Sequence, residues 1–473
     1  MALRAVYFDI GGTIETFRSS PEIRRESTPR FRALLEIAGV HLEMDDDGLL
    51  ELLTSGVKRY HKWNRQSLIE LPTAEIWSEV VLKDLNLPIE QITPISEDLA
   101  FLYETGFFIR EMRPEAPQVL ESIRQMGLRI GCISNTQSLT QVLYSLKRYG
   151  ILQYFDPIVL SSQMGHRKPD PAVFYHAARL ASLPTSQIIY VGDKINRDVL
   201  GSSRSGYCMS VKINHVYDDG DPDLGAIPDA VINNLNELLP LLEDMLQRDR
   251  KVRPVERKIK AIFFDAGNIL YTKPRKGRHI KQFLARHKLK SQVDVKTEKR
   301  KLKDLAFNGE IDRFEFYERV IRLYGVTEPA VLQEGVDSLL KDATTVEIVD
   351  GVPETIKALK IRGFILGIIS DTATPIMVKL DWFAEAGFGN EFDTFISSKE
   401  LGARKPAALI YEEACCSVGL SVDEAVFVGH KASELKGARS VGLKTIAFNY
   451  DKNARADVYI EKFGDLLDVP LLG

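Results

Sequence analysis

At 473 residues the chain is too long for one hydrophobic core, so two or more domains are expected. With 44% hydrophobic and 27% charged residues and a net charge of -4, the composition excludes a disordered chain and singles out no class of partner. No apolar run reaches membrane-spanning length, no signal-like leader precedes the first strand, and Cys132, Cys208, Cys415 and Cys416 show no metal-ligand spacing. These features predict a cytoplasmic protein with free thiols and no membrane association.

The first strand reads "RAVYFDIGGTIE", residues 4–15. An apolar run leads into Asp9, and glycines follow at once; an acid at the tip of a buried strand is costly unless it has a partner or a task. From about 15 to 112 the periodicity is helical, with "TPRFRALLEIAG", "LLELLTSGVKRYHKW" and "AEIWSEVVLKDL" each predicting a helix. Within this insert "RYHKWNRQ" (59–66) offers Arg59, His61, Lys62, Trp63 and Arg65 to an anionic or aromatic ligand. A solvated helix face is the default reading. Next come "GLRIGCISNTQS" (127–138), whose strand ends at Ser134 with Asn135 beyond it, and "GHRKPDPAVFYHAA" (165–178), which carries Lys168. "IIYVGDKINRDVLGSSRSG" (188–206) carries Asp193 and Asp198. The charged, Pro-containing "QRDRKVRPVERK" (247–258) reads as a linker.

Beyond it the series returns in the same order: "KAIFFDAGNIL" (260–270), "GFILGIISDTAT" (363–374), "GARKPAALIYEEA" (402–414) and "AVFVGHKASELKGARSVG" (425–442). Ser134 to Lys168 spans 34 residues and Ser370 to Lys405 spans 35, while Lys168 to Asp193 and Lys405 to His430 both span 25. Four ordered coincidences mark two copies of one domain type. The short, continuously apolar runs alternating with helical patterns predict parallel sheets buried on both faces.

Singly, a strand-end Asp or Ser is more often a helix cap, Lys168 a surface lysine, and Gly192-Asp193 a turn. Jointly, the set and its order resemble the haloacid dehalogenase (HAD) superfamily, in the version with a helical cap after the first strand, once per half. The resemblance implies an α/β fold of two tandem Rossmann-like domains with parallel central sheets. Residues 1–246 would form the first, with its cap at about 15–112, and residues 259–473 a degenerate second, with its cap at about 271–348. It implies Asp9 as a nucleophile forming an aspartyl-phosphate, and Mg²⁺ held by Asp9, the backbone carbonyl of Gly11 and Asp193. Ser134 would donate to a phosphoryl oxygen and Lys168 would pair with Asp9 and the phosphoryl group. Thr13 would fix the nucleophile loop, and Asn135 and Asp198 would support the site.

The departures shape the expected activity. Family phosphatases carry a second Asp two residues after the nucleophile, as general acid and base; here the place is Gly11, and Gly267 in the second half. Glu15 is an alternative source of a carboxylate, against an exposed hinge residue as its default. In the second half Asp265, Ser370 and Lys405 remain, His430 replaces Asp193, Ile269 replaces Thr13, and Glu434 matches Asp198 after a one-residue slip. An imidazole is a poor Mg²⁺ ligand, so this half is expected not to catalyse. Residues 273–303 hold 13 Lys or Arg against Asp294 and Glu298, with Ile280, Phe283, Leu284 and His287 as an apolar stripe. A basic amphipathic helix meets nucleic acid, an acidic protein or a membrane surface, but a solvated face is the default and nucleic acid is not expected. The whole predicts a hydrolase: a Mg²⁺-dependent phosphatase or phosphotransferase acting on a small phosphorylated molecule, with an oligomer left open. The rivals are a non-catalytic binding or scaffold protein and a metal-free, dehalogenase-like hydrolase.

Overall fold

The computed structural model describes residues 2–215, 225–251, 257–275, 277–291 and 294–473. The chain divides into two compact units, Met1–Arg253 and Pro254–Gly473. The stretch expected as a linker begins inside a helix, Leu238–Lys251, and its residues 252–256 lie outside the described residues.

In the first unit the strands are β1 (Ala5–Phe8), β2 (Glu15–Arg18), β3 (Ile109–Met112), β4 (Arg129–Ser134), β5 (Phe155–Leu160), β6 (Ile188–Gly192), β7 (Met209–Ile213) and β8 (Ala230–Ile232). Six of them form a parallel sheet in the order β5-β4-β1-β6-β7-β8. Strand β1 is central and buried throughout. Val6 and Phe8 enter one apolar core and Ala5 and Tyr7 the other. That two-sided burial is why the sequence reads as an unbroken apolar run rather than an alternating one. Phe8 lies opposite Cys132 on β4 and Val191 on β6, so the loops bearing Asp9, Ser134 and Asp193 leave the sheet at one edge.

Strands β2 and β3 pair antiparallel, Glu15 opposite Met112, and form the two-stranded base of a helical insert with its own core around Phe31, Leu53, Tyr60 and Trp77. Its helix Pro21–Ile37 starts at Ser20, whose hydroxyl accepts from the Ile23 N–H, and Asp45 caps Asp46–Ser67 in the same way. The third expected helix is broken. Residues 74–85 form a short α-turn, a π-turn segment Ile76–Val81 and a 3-10 turn Lys83–Leu85. Trp77 is fully buried and stacks on Phe31, and a Cβ on Gly56 would lie 2.2 Å from the Val81 carbonyl oxygen. The close approach to Gly56 and the buried indole override regular helix geometry.

The second unit repeats the plan. Its strands are β9 (Ala261–Phe264), β10 (Tyr271–Thr272), β11 (Glu347–Ile348), β12 (Ile365–Ser370), β13 (Thr394–Ser397), β14 (Ala425–Gly429), β15 (Lys444–Ala447) and β16 (Val458–Tyr459). The sheet order β13-β12-β9-β14-β15-β16 is the first unit's order, and the antiparallel pair β10-β11 again carries a helical insert. The basic stretch is two helices rather than one, Arg278–Arg286 and Val295–Phe307. Ile280, Phe283 and Leu284 pack into the insert's core, and His287 pairs with Glu334 at 2.8 Å, so this stripe is already covered. Lys276, Gln292 and Val293 of that stretch lie outside the described residues. Among the described residues all four cysteines are free, and no helix is long and apolar enough to cross a membrane.

Candidate active site

Asp9 stands one residue past β1, and its Oδ1 accepts from the Ile10 N–H at 2.8 Å. The following turn is held by backbone bonds, from the Ile14 and Glu15 N–H groups to the Ile10 carbonyl and from the Gly12 N–H to the Glu15 carbonyl. Gly12 has φ +87°, and a Cβ there would lie 2.4 Å from Asp193 Oδ2; only glycine allows this approach. The Thr13 hydroxyl, expected to fix the loop, is fully buried and finds no hydrogen-bond partner among the described residues. The loop's backbone bonds do that work instead.

Lys168 is buried, its Nζ 3.0 Å from Asp9 and 2.7 Å from Asp198, and it also donates to the Tyr190 hydroxyl at 2.9 Å. Tyr190 in turn donates to the Ile133 carbonyl. Asn135 brackets the Lys168 peptide, accepting from its N–H at 2.9 Å and donating to its carbonyl at 3.1 Å. Asp198 also accepts from the Lys194 N–H at 3.0 Å. Burial alone would pull the Lys168 ammonium down, but Asp198 and Asp9 hold it above its ordinary value. Asp193 fares differently. Burial, then Asp198 and Asp9, push its carboxyl up to about 7. Its buried Oδ2 accepts no hydrogen bond among the described residues, and Lys194 Nζ lies 3.6 Å away.

Oxygen atoms of Asp9, Asp193 and Asp198 lie within 4.8 Å of one another. Three clustered carboxylates, two of them sharing Lys168 and the third with an oxygen lacking a donor, make a hard, all-oxygen set short of a cation. It fits Mg²⁺. Asp9, Asp193 and Lys168, with Gly11, Ser134 and Arg197, line a cavity of about 770 Å³ whose far wall is the helical insert.

That wall corrects two expectations. His61, Lys62 and Arg65 line the cavity, so the face is not merely solvated, whereas Arg59 does not and instead binds the Val80 carbonyl at 3.0 Å and Asp84 at 2.9 Å. Glu15 is not an exposed hinge residue. It is fully buried, with Oε1 2.6 Å from Arg110 Nη1 and Oε2 accepting from the Tyr149 hydroxyl at 2.8 Å. Arg110 also reaches towards the motif-one gap: a Cβ on Gly11 would lie 3.6 Å from Nη1. Arg110 and Tyr190 were missed from sequence. Arg110 is separated from Glu15 by 95 positions and gives no local signal, but the Tyr190-to-Phe427 difference between the repeats was there to be read.

In the second unit Asp265, Ser370, Lys405 and His430 meet at the matching edge of the sheet and line a separate cavity of about 560 Å³. Lys405 Nζ is 2.9 Å from Asp265 and donates to the Ile369 carbonyl at 2.9 Å, directly, because Phe427 lacks the hydroxyl that Tyr190 supplies. His430 Nδ1 lies 3.2 Å from Asp265 Oδ2, and its Nε2 faces the Asn268 amide at 3.3 Å. Asn268 takes the positive-φ place of Gly12 (φ +63°). Burial works against the Asp265 anion, yet Lys405 and His430 hold its carboxyl far below the usual range. Glu434 is engaged by Lys431 at 2.6 Å. Donor atoms of Asp265, His430 and Glu434 lie within 4.8 Å of one another, and Glu434 Oε2 has no donor among the described residues. A set that includes an imidazole and an Asp265 already held by Lys405 and His430 nevertheless does not match the all-oxygen shell of Mg²⁺.

The family model for haloacid dehalogenase-like hydrolases matches residues 3–206 and again 259–442. The chain belongs to this family. It is therefore a hydrolase in class, built as a tandem of two such domains. Among curated proteins it is 26% identical over 246 residues to the glyceraldehyde 3-phosphate phosphatase of Methanopyrus kandleri, covering 51% of this chain and 98% of that one. It is 30% identical over 138 residues to the phosphoglycolate phosphatase of Pseudomonas fluorescens, covering 29% of this chain and half of that one. Among solved structures, the 2-haloacid dehalogenase from Pseudomonas syringae aligns at 20% identity with a TM-score of 0.37, over 45% of this chain and 97% of its own.

Proposed function

We propose that the first unit is a Mg²⁺-dependent phosphatase or phosphotransferase for a small phosphorylated molecule, working through Asp9. The observation that carries this reading is the carboxylate cluster of Asp9, Asp193 and Asp198, with Lys168 buried against Asp9 and Asp198 and a buried, undonated Asp193 oxygen. The names of the two curated relatives, both phosphatases of small phosphorylated compounds, support it. The acids beside Asp9 speak against a metal-free hydrolase.

Asp9, Asp193 and the Gly11 carbonyl would hold Mg²⁺, which offsets negative charge on a phosphoryl group. The remaining chemistry belongs to the chain. A carboxylate oxygen of Asp9 attacks phosphorus, the bond to the leaving oxygen breaks, and an aspartyl-phosphate forms. Lys168 favours the Asp9 anion before attack and neutralises the phosphoryl oxygens during it. Asp198 and Tyr190 hold Lys168 in place. Water, or an acceptor hydroxyl, then attacks the aspartyl-phosphate and regenerates Asp9.

No acid stands at position 11, and both Glu15 oxygens are engaged by Arg110 and Tyr149. The leaving group departs without a positioned proton donor from either residue, which forfeits about 10²–10⁴-fold. Aryl phosphates, acyl phosphates and pyrophosphates lose least. The test is a series of aryl and alkyl phosphates assayed with Mg²⁺ and with EDTA. Slow, Mg²⁺-dependent release with a steep dependence on leaving-group pKa is expected, and Gly11→Asp should flatten that dependence. Release unaffected by EDTA would reject the metal-dependent reading; a flat profile in the natural protein would place the acid on another residue.

A further inference from the structure

The second cavity departs from the first by more than the loss of a metal ligand. Lys379, on the helix Ile376–Glu385, is 2% exposed, and its Nζ donates to the Ser370 hydroxyl at 2.6 Å. It stands nine residues after Ser370; the residue nine after Ser134 in the first unit is Leu143. Among the described residues Lys379 makes no ion pair. The nearby acid, Asp265, is already held by Lys405 and His430. A buried ammonium without a counter-ion is unstable in isolation. Burial, and the positive Lys273 and Lys405, hold it down to about 7 despite Asp265; an anion set among these cations would reverse that.

The cavity walls share the bias. Seven Lys and Arg side chains line it against three Asp, and its insert-facing side carries an apolar patch of Ile280, Phe307, Phe316, Tyr317 and Val320 beside Lys299 and Lys303. The first cavity is lined by eight Lys and Arg against five acids, but at its floor Asp9, Asp193 and Asp198 cluster together, where Mg²⁺ would offset them. Here His430 stands where Asp193 does, and Lys379 adds a buried cation on a helix whose first-unit counterpart brings only Gln141 and Val142 to the cavity, so the balance already favours an anion.

We propose that the second unit binds a small phosphomonoester without metal, its phosphoryl group held by Ser370, Lys379 and Lys405 and its organic part against the apolar side of the insert. The hydroxyl and the two ammonium groups supply charge-assisted donors to the phosphoryl oxygens. His430 occupies the second oxygen of Asp265, and among the described residues no all-oxygen metal set stands beside it to bring that carboxylate onto a phosphoryl group, so the ligand is retained rather than cleaved. This site stands apart from the reading of the first unit, whose three acids repel phosphate when no metal is present.

The experiment is calorimetric titration of the full chain with inorganic phosphate and with phenyl phosphate, in EDTA. One equivalent should bind per chain, with phenyl phosphate the tighter of the two. Lys379→Met should weaken binding by about tenfold or more, and Lys168→Met should leave it unchanged. Ser370→Ala, which removes only a hydroxyl, should also weaken it and keeps the test open should Lys379→Met fail to fold. Absence of binding in EDTA, binding that requires added metal, or binding lost in Lys168→Met but kept in Lys379→Met and Ser370→Ala would overturn the proposal.

Discussion

The two cavities are built on the same strand order and the same four sequence positions, yet their electrostatics run in opposite directions. In the first unit Asp9 and Asp198 share Lys168, and burial pushes the neighbouring Asp193 carboxyl up. In the second a single strand-end acid is held by Lys405 and His430 and its carboxyl is driven down. One site is short of a cation and the other is supplied with cations from its own side chains. The difference teaches that the same strand-end acid, serine and lysine positions can be kept while the charge around them is reversed. On the proposed reading, the groups beside the strand-end acid decide whether its carboxylate is free to react.

The largest expected effect comes from making the first site resemble the second. Asp193→His should lower Mg²⁺-dependent turnover by about 10³-fold or more, in line with losing a charge that acts at the reacting centre. It should also abolish the thermal stabilisation by Mg²⁺, which at about 100 times Kd amounts to roughly 2.7 kcal/mol. Retained turnover would show that Asp193 is not a ligand.

The next effect is on stability against pH, and the units should differ in sign. The Asp193 carboxyl is raised in the folded state, from 3.8 to about 7, so the folded form holds the proton more tightly. In EDTA the contribution of Asp193 to the first unit's stability should therefore be fully present below about pH 4 and be lost, by a few kcal/mol, as pH rises to about 7. Asp265 is lowered, so the second unit's contribution from it is present above pH 4 and lost on acidification. Urea unfolding at several pH values, on the natural chain, Asp193→Asn and Asp265→Asn, would resolve this; each variant should flatten one trend only.

Glu15→Gln should cost about 1–3 kcal/mol, because it weakens a buried ion pair with Arg110. The leaving-group dependence should not change, and a steeper dependence would show that Glu15 is the missing acid. Smallest is Tyr190→Phe, which copies Phe427. It removes a hydroxyl bonded to Lys168 and the Ile133 carbonyl and should cost about 1 kcal/mol, with a modest fall in rate.

The convergence of Asp9, Ser134, Lys168 and Asp193 on one sheet edge was legible in the sequence because each lies at the end of a strand or in the loop region beyond one, in a motif that the chain repeats. The parallel sheets were legible for the same reason, through unbroken apolar runs such as Ala5–Phe8. What was not legible depends on tertiary approach. Glu15 looks like an exposed hinge until Arg110, far along the chain, closes over it. Lys379 looks like any helical lysine, although the apolar residues Ile376, Met377, Val378 and Leu380 around it are a signal that it is buried. The broken helix at 74–85 was hidden because the pressure on it comes from Gly56 and Phe31.

The most direct test of the asymmetry is paired replacement of the two strand-end acids, with Mg²⁺-dependent phosphate release from an aryl phosphate as the readout. Asp9→Asn should reduce release by about 10⁴-fold or more, as removal of a nucleophile does, while Asp265→Asn should leave it within about twofold. Full activity in Asp9→Asn, or loss of activity in Asp265→Asn with the fold retained, would contradict the account.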